Sequence, residues 1–200
     1  MGISVQERLH VRVIAGEARG MRLSAPRGTT TRPTTDRVKE ALFNLLDSAH
    51  RLDGARVLDL FAGSGSLGIE ALSRGAEHAV FIEKNKQALE TLQQNLLHTR
   101  FSNRAEVHPF DCLQAIERLA RRKAQFDLVL LDPPYQAGLH QKVIELVGAT
   151  LLAADGLLVA ETAARTPLPT CIGSCIQTDR RIYGDTALEL YILEQQSHAP

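Results

Sequence analysis

Apolar positions change their spacing along the chain in a regular way. From Val57 onward, short and nearly continuous hydrophobic runs (VLDLFA, HAVFIE, AEVHPF, FDLVLL, GLLVAE) alternate with longer stretches whose apolar residues recur every three or four positions (SLGIEALSRG, NKQALETLQQNLLHT, CLQAIERLARRK, LHQKVIELVGATLL). The first kind predicts strands and the second amphipathic helices. Strand and helix in alternation predict parallel strands joined by helical crossovers. The near absence of polar positions in the first four strands predicts helices on both faces of the sheet. After Gly156 the pattern changes: CIQTDRRIYG and TALELYILE are joined by Gly184-Asp185 with no helical stretch between them, so the sheet is expected to close with an antiparallel hairpin.

Upstream of Val57, VRVIAG and GMRLSAP flank the polar turn EAR and predict a small hairpin. RPTTDRVKEALFNLL then opens a helix, with Thr35 or Asp36 as its cap and Val38, Ala41, Leu42, Leu45 and Leu46 as its apolar stripe. The expected organisation is a hairpin extension over 1–31, a main domain over 32–194 and a frayed tail over 195–200.

Composition narrows the class. The chain has 200 residues of which 44% are hydrophobic, enough for one well-buried core. Its formal net charge is zero, so a polyanionic partner would have to be met by a local patch. The segment MGISVQERLH lacks the apolar centre of a signal peptide, and no run approaches the roughly 20 residues of a membrane span, so a cytoplasmic protein without membrane contact is expected. Cys112, Cys171 and Cys175 form neither a CxxC pair nor a zinc-like spacing with histidine, which argues for reduced thiols and no metal.

Candidate chemistry begins at VLDLFAGSGSLGIEAL, where Gly63, Gly65 and Gly68 stand in GxGxxG spacing between a strand and a helix. That context makes the spacing credible as a nucleoside-cofactor loop. Glu83 ends the next strand about twenty residues on, where a carboxylate can accept both hydroxyls of a ribose. A nicotinamide dinucleotide would lay its pyrophosphate on the helix N-terminus, but Asp59 sits just before the loop and would repel it. An acid there suits an ammonium, so S-adenosyl-L-methionine, with an ammonium, a sulfonium and no phosphate, fits better.

The run FDLVLLDPPYQ ends a strand with an acid, two prolines and a tyrosine. Pro133 and Pro134 cannot continue a sheet ladder and fix a rigid exit that presents Asp132 and Tyr135. In the seven-stranded Rossmann-like arrangement of methyltransferases this fourth strand lies beside the first, at the carboxyl edge where ligands bind. An exocyclic amine on a nucleobase is a poor nucleophile because its lone pair is delocalised. The Asp132 carboxylate and the Pro133 carbonyl can accept its two hydrogens, and Tyr135 can stack on the base. Asp132, Pro133, Pro134 and Tyr135 are therefore the candidate catalytic residues. Asp111, which follows the third strand, faces the same crevice and can also cap the helix after it.

VLDLFAGSGSLGIEALSRGA, FIEKN and LLDPPY resemble the cofactor loop, ribose acid and catalytic motif of amino-methylating, S-adenosylmethionine-dependent enzymes. More narrowly, RVIAGEARGMRLSAPRGTTTRPTTDRVKEALFNLL and YGDTALELYIL resemble the two ends of the RsmD family, bacterial methyltransferases of guanine N2 in 16S ribosomal RNA. The resemblance implies that Asp59, Ala62, Gly63, Gly65, Glu83 and Asp111 hold the donor, with Asp111 and Cys112 near its adenine and Arg32 and Thr34 near its carboxylate or the mouth of the site. It also implies 16S rRNA as partner, within a small subunit or an assembly intermediate, and a monomeric enzyme.

Basic residues crowd the N-terminal piece: Arg8, Arg12, Arg19, Arg22, Arg27, Arg32, Arg37 and Lys39. Arginines spaced along a hairpin can bind backbone phosphates, so Arg12, Arg19, Arg22, Arg27 and Arg37 are the expected RNA contacts. A second run, Arg118, Arg121, Arg122 and Lys123, reads instead as solvated helix surface. A DNA adenine-N6 methyltransferase would use DPPY equally well, but commonly carries a separate recognition region for which this chain has little sequence left. A non-catalytic ribosome-assembly factor would not need Asp132, and a dehydrogenase has no use for DPPY.

Overall fold

A computed structural model describes residues 11–26, 36–133 and 138–194. Arg27, Arg32, Thr34, Pro134 and Tyr135, all singled out above, lie outside the described residues.

A short hairpin comes first, β1 (Val11–Arg12) and β2 (Arg22–Leu23), antiparallel with Val11 opposite Leu23. It is followed by α1 (Asp36–Ser48), β3 (Arg56–Leu60), α2 (Ser66–Ser73), β4 (His78–Ile82), α3 (Lys86–Thr99) and β5 (Ala105–His108). The chain continues through α4 (Cys112–Arg121), β6 (Phe126–Leu131), α5 (Leu139–Thr150), β7 (Leu152–Ala163), β8 (Cys171–Ile172), β9 (Cys175–Tyr183) and β10 (Thr186–Leu193). The large sheet has the order β5-β4-β3-β6-β7-β10-β9-β8. β3 to β7 are mutually parallel where they pair, and β10, β9 and β8 pair antiparallel. This is the expected mixed α/β sheet of seven strands closed by the Gly184-Asp185 hairpin, with β8 added as a two-residue edge strand.

Two apolar layers explain why the central strands carry hydrophobes on both sides. One face, with Val57, Phe81, Leu128, Leu130 and Val159, packs against Phe43 and Leu46 of α1, Ile69 and Leu72 of α2, and Leu92 and Leu96 of α3. The other, with Leu58, Leu60, Val80, Val129 and Leu131, packs against Ile116 and Leu119 of α4 and Val143, Ile144 and Val147 of α5. Each such side chain, fully buried, contributes about 1.5–3 kcal/mol of transfer free energy. Capping sets the helix starts: Asn85 accepts from the amides of Gln87 and Ala88, and Asp111 from that of Leu113.

Two boundaries at the α5–β7 junction differ from the sequence expectation. α5 stops at Thr150 rather than running through Leu152, because the Leu151 carbonyl accepts from the Phe126 amide at 2.9 Å and draws the chain into the sheet. β7 therefore begins earlier than GLLVAE, with a register irregularity opposite Phe126 and Leu128. No described helix is long and apolar enough to cross a membrane.

The N-terminal hairpin shares the first apolar layer through Val11, Val13, Ala18 and Leu23. Its polar groups are fixed to the main sheet's helices. Glu70 of α2 accepts from the Ile14 and Ala15 amides at 2.8 and 3.0 Å. Asn95 of α3 holds both the amide and the carbonyl of Ser24 and also donates to the Ser64 carbonyl, at 2.8, 3.0 and 2.9 Å. At Gly16, with φ +83°, an added Cβ would lie 1.8 Å from the Ser73 carbonyl oxygen, so only glycine permits that approach.

Candidate active site

Parallel pairing of β3, β4, β5 and β6 brings their carboxyl ends to one edge of the sheet. The loop after β3 turns sharply into α2, with Gly63 at φ +56° and Gly65 at φ +81°. The Gly65 amide donates to the Ala62 carbonyl at 2.7 Å, and the Ala62 amide to the Ile82 carbonyl at 2.9 Å. Gly65 has no room for a side chain, since a Cβ would meet Leu92 Cδ1 at 2.3 Å.

Two acids brace this loop from below and from the side. Asp59, 2% exposed, accepts from the Gly68 amide in the first turn of α2 at 2.9 Å. Burial raises its pKa to about 7, the neighbouring Glu83 carboxylate adds to the rise, and the Gly68 hydrogen bond partly offsets it. Such a group gains from a cation placed beside it. Glu83, just past β4, accepts from the Gly63 amide at 2.9 Å and the Asn85 amide at 2.7 Å. One oxygen thus orients the loop and the other the turn into α3, and each keeps a lone pair for a further donor.

Asp111 caps α4 and takes a 3.0 Å hydrogen bond from Lys84 Nζ, which holds its pKa below the usual carboxylate range. Cys112 is buried in the second apolar layer, and its thiol is pushed up to about 12 by that burial. It is an inert packing group on the wall of the crevice.

β6 pairs directly with β3, Leu131 opposite Leu60 and Leu130 opposite Asp59. Asp132 therefore emerges next to the residue that begins the glycine loop, and Pro133 after it is buried. Burial raises the Asp132 pKa to about 8, with further contributions from Glu161 and Asp59. Asp59, Glu83, Asp111 and Asp132 are thus gathered at one edge, as are Ala62, Gly63, Gly65 and Cys112.

Of the expected RNA contacts, Arg12, Arg19, Arg22 and Arg37 are exposed on the hairpin and the first turn of α1. Arg12 reaches Asp36 at 3.7 Å; Arg19, Arg22 and Arg37 form no ion pair among the described residues. Lys39, counted above with the basic N-terminal set, does not share that exposure. Its side chain is fully buried, donates to the Arg12 carbonyl at 2.6 Å and lies 3.5 Å from Glu70, so it cannot meet a phosphate. A helix-face lysine adjacent to the apolar stripe gives no sign of this until α2 is packed against it. Glu161 was missed as well. It lies within β7, one residue past the Leu131–Ala160 pair, and only the β6 to β7 register sets it beside Asp132.

The geometry has close counterparts. Residues 11–192 match the family described as "Conserved hypothetical protein 95". The chain is 41% identical over 182 residues to YlbH of Bacillus subtilis, covering 90% of this chain and 98% of that one. It is 36% identical over 190 residues to the Escherichia coli (strain K12) protein named ribosomal RNA small subunit methyltransferase D, covering 94% of this chain and 93% of its relative. The solved structure of yhhF from Escherichia coli superposes with a TM-score of 0.80 at 34% identity, over 94% of this chain and 99% of that one.

Proposed function

The chain belongs to the family described as conserved hypothetical protein 95, the RsmD family, and from that membership we propose that it is an S-adenosylmethionine-dependent methyltransferase acting on the N2 amine of a guanine in small-subunit ribosomal RNA. The observation that carries the reading is the pairing of β6 with β3. It sets Asp132 beside a glycine loop whose amides are already aimed by Glu83 and Asp59. The name of the Escherichia coli relative supports the RNA substrate.

The donor fits the residues present. Its ammonium suits Asp59, a buried carboxylate with a raised pKa, and its ribose hydroxyls suit Glu83. Asp111 at the mouth of α4 suits the adenine end. When bound, the donor supplies a methyl group made electrophilic by the sulfonium.

The remaining work falls to the chain. The Asp132 carboxylate and the Pro133 carbonyl accept the two hydrogens of the target amine, which turns its lone pair out of the purine ring. A carboxylate with raised proton affinity is also a stronger acceptor, and methylation leaves a cationic nitrogen whose proton Asp132 can take. Tyr135 stacks on the base, which must leave its helix to arrive there. Arg12, Arg19, Arg22 and Arg37 contact the RNA backbone, as does Arg27 in this reading.

Replacing Asp132 by alanine tests the assignment. Methyl transfer to small subunits from a strain lacking the enzyme should vanish, while donor affinity measured by calorimetry stays within about tenfold, since Asp132 acts on the acceptor. Turnover that survives the substitution removes Asp132 from the mechanism.

A further inference from the structure

Asp132 has a neighbour that the roles above leave unused. β6 and β7 run parallel with Leu131 opposite Ala160, so the next residue on each strand, Asp132 and Glu161, lie side by side about 4.8 Å apart in the backbone. Alternation fixes their direction. Leu128 and Leu130 of β6 and Leu157 and Val159 of β7 all belong to the first apolar layer, and Asp132 and Glu161 continue those two series. Asp59 continues the same side of β3 from Val57. Glu161 is held in place by its backbone: its carbonyl lies 2.9 Å from His140 Nε2 in the first turn of α5, and it pairs with Leu188 of β10. The influence of Glu161 on the Asp132 carboxyl agrees with their adjacency.

When both are ionised, two carboxylates side by side present a row of acceptors, and this matches two adjacent donors on a nucleobase. Guanine carries its N2 amine next to N1–H, so that part of its edge offers two adjacent donors, with the O6 acceptor beyond them. Adenine and cytosine each place a bare ring nitrogen, an acceptor, beside their amine. With the amine held by Asp132, a second carboxylate one strand over meets N1–H of guanine favourably and the lone pair of adenine N1 unfavourably. We infer that Glu161 is the specificity-determining residue of this site, accepting a hydrogen bond from guanine N1–H while Asp132 holds the amine. This rests on the guanine-N2 reading and adds the group that selects the base.

The probe is 2-aminopurine, which keeps the 2-amine but has a bare N1. Small subunits are reconstituted with guanine or 2-aminopurine at the methylated position, and kcat/KM is measured for the wild type, Glu161→Gln and Glu161→Asp. The wild type should favour guanine by about 10⁴-fold or more, the discrimination typical of a site built around a substrate hydrogen bond. Glu161→Gln, whose amide can donate to a bare N1, should narrow that ratio at least about tenfold. Glu161→Asp should keep the preference at a lower rate. A guanine to 2-aminopurine ratio that is the same in Glu161→Gln as in the wild type overturns the role of Glu161 and leaves guanine methylation standing. If the wild type forms no N2-methylguanine, the proposal and the reading beneath it both fall.

Discussion

Substituting Glu70 interrogates how the N-terminal hairpin is tied to α2. Its carboxylate, 0% exposed, gathers the Ile14 and Ala15 amides, Arg74 Nε at 2.8 Å and the buried Lys39 ammonium at 3.5 Å. Glu70→Ala leaves two part-buried amides without an acceptor, at up to about 1–3 kcal/mol each. It also strips Lys39 of its counter-charge, and breaking a buried ion pair costs about 3–5 kcal/mol. Those losses together approach the whole stability of an ordinary domain, about 5–15 kcal/mol, so this variant should be largely unfolded. Glu70→Gln keeps one carbonyl acceptor and should fold with a loss of about 2–4 kcal/mol, most of it from the stranded ammonium. Lys39→Met alone should cost less, because Arg74 still neutralises Glu70. The double variant Glu70→Gln/Lys39→Met should therefore recover part of the loss seen in Glu70→Gln, a coupling that urea unfolding of all four proteins resolves. Amide exchange at Ile14 and Ala15 should accelerate in Glu70→Gln. If Glu70→Gln unfolds within about 0.5 kcal/mol of the wild type, the size of an ordinary surface change, or if Lys39→Met gives no recovery, the proposed tie is wrong.

Further expectations concern the crevice. Asp59 and Asp132 have pKa values raised by burial to about 7 and about 8, so their contribution to stability is complete below pH 4 and is lost as pH rises through 7 and 8. In the absence of donor, urea midpoints should fall from about pH 4 to about pH 8 and level off above it, and Asp59→Asn and Asp132→Asn should each flatten that fall; identical slopes in all three proteins would contradict the assignment. Gly68→Ala places a Cβ 2.3 Å from Phe81 Cε1 and 3.1 Å from Asp59 Oδ2, so it should cost about 1–3 kcal/mol and weaken donor binding, measured by thermal unfolding and calorimetry.

How far the sequence could be read follows from how local each signal is. The strands and helices after Val57 were legible because periodicity is carried by neighbouring residues, and the terminal hairpin because Gly184, at φ +62°, needs a glycine turn. The glycine loop and its flanking acids were legible for the same reason: their spacing survives in one dimension. The partners of those acids were not. Asp59 could be expected to face a cation, but its hydrogen bond to Gly68 depends on how α2 sits on the sheet. Lys39 reads as one more exposed base, and only contacts separated by tens of residues, to Arg12 and Glu70, show it buried. Asn95 gives no hint that it bridges Ser24 to Ser64. Glu161 needed the β6 to β7 register, which no local pattern contains.

The most direct measurement is mass spectrometric analysis of nucleosides from 16S rRNA after incubating small subunits of an enzyme-deficient strain with the protein and isotopically labelled S-adenosylmethionine. Label should appear in N2-methylguanosine at a single position, and nowhere when Asp132→Ala replaces the wild type. Label in N6-methyladenosine instead, or in no nucleoside at all, would contradict the guanine-N2 reading.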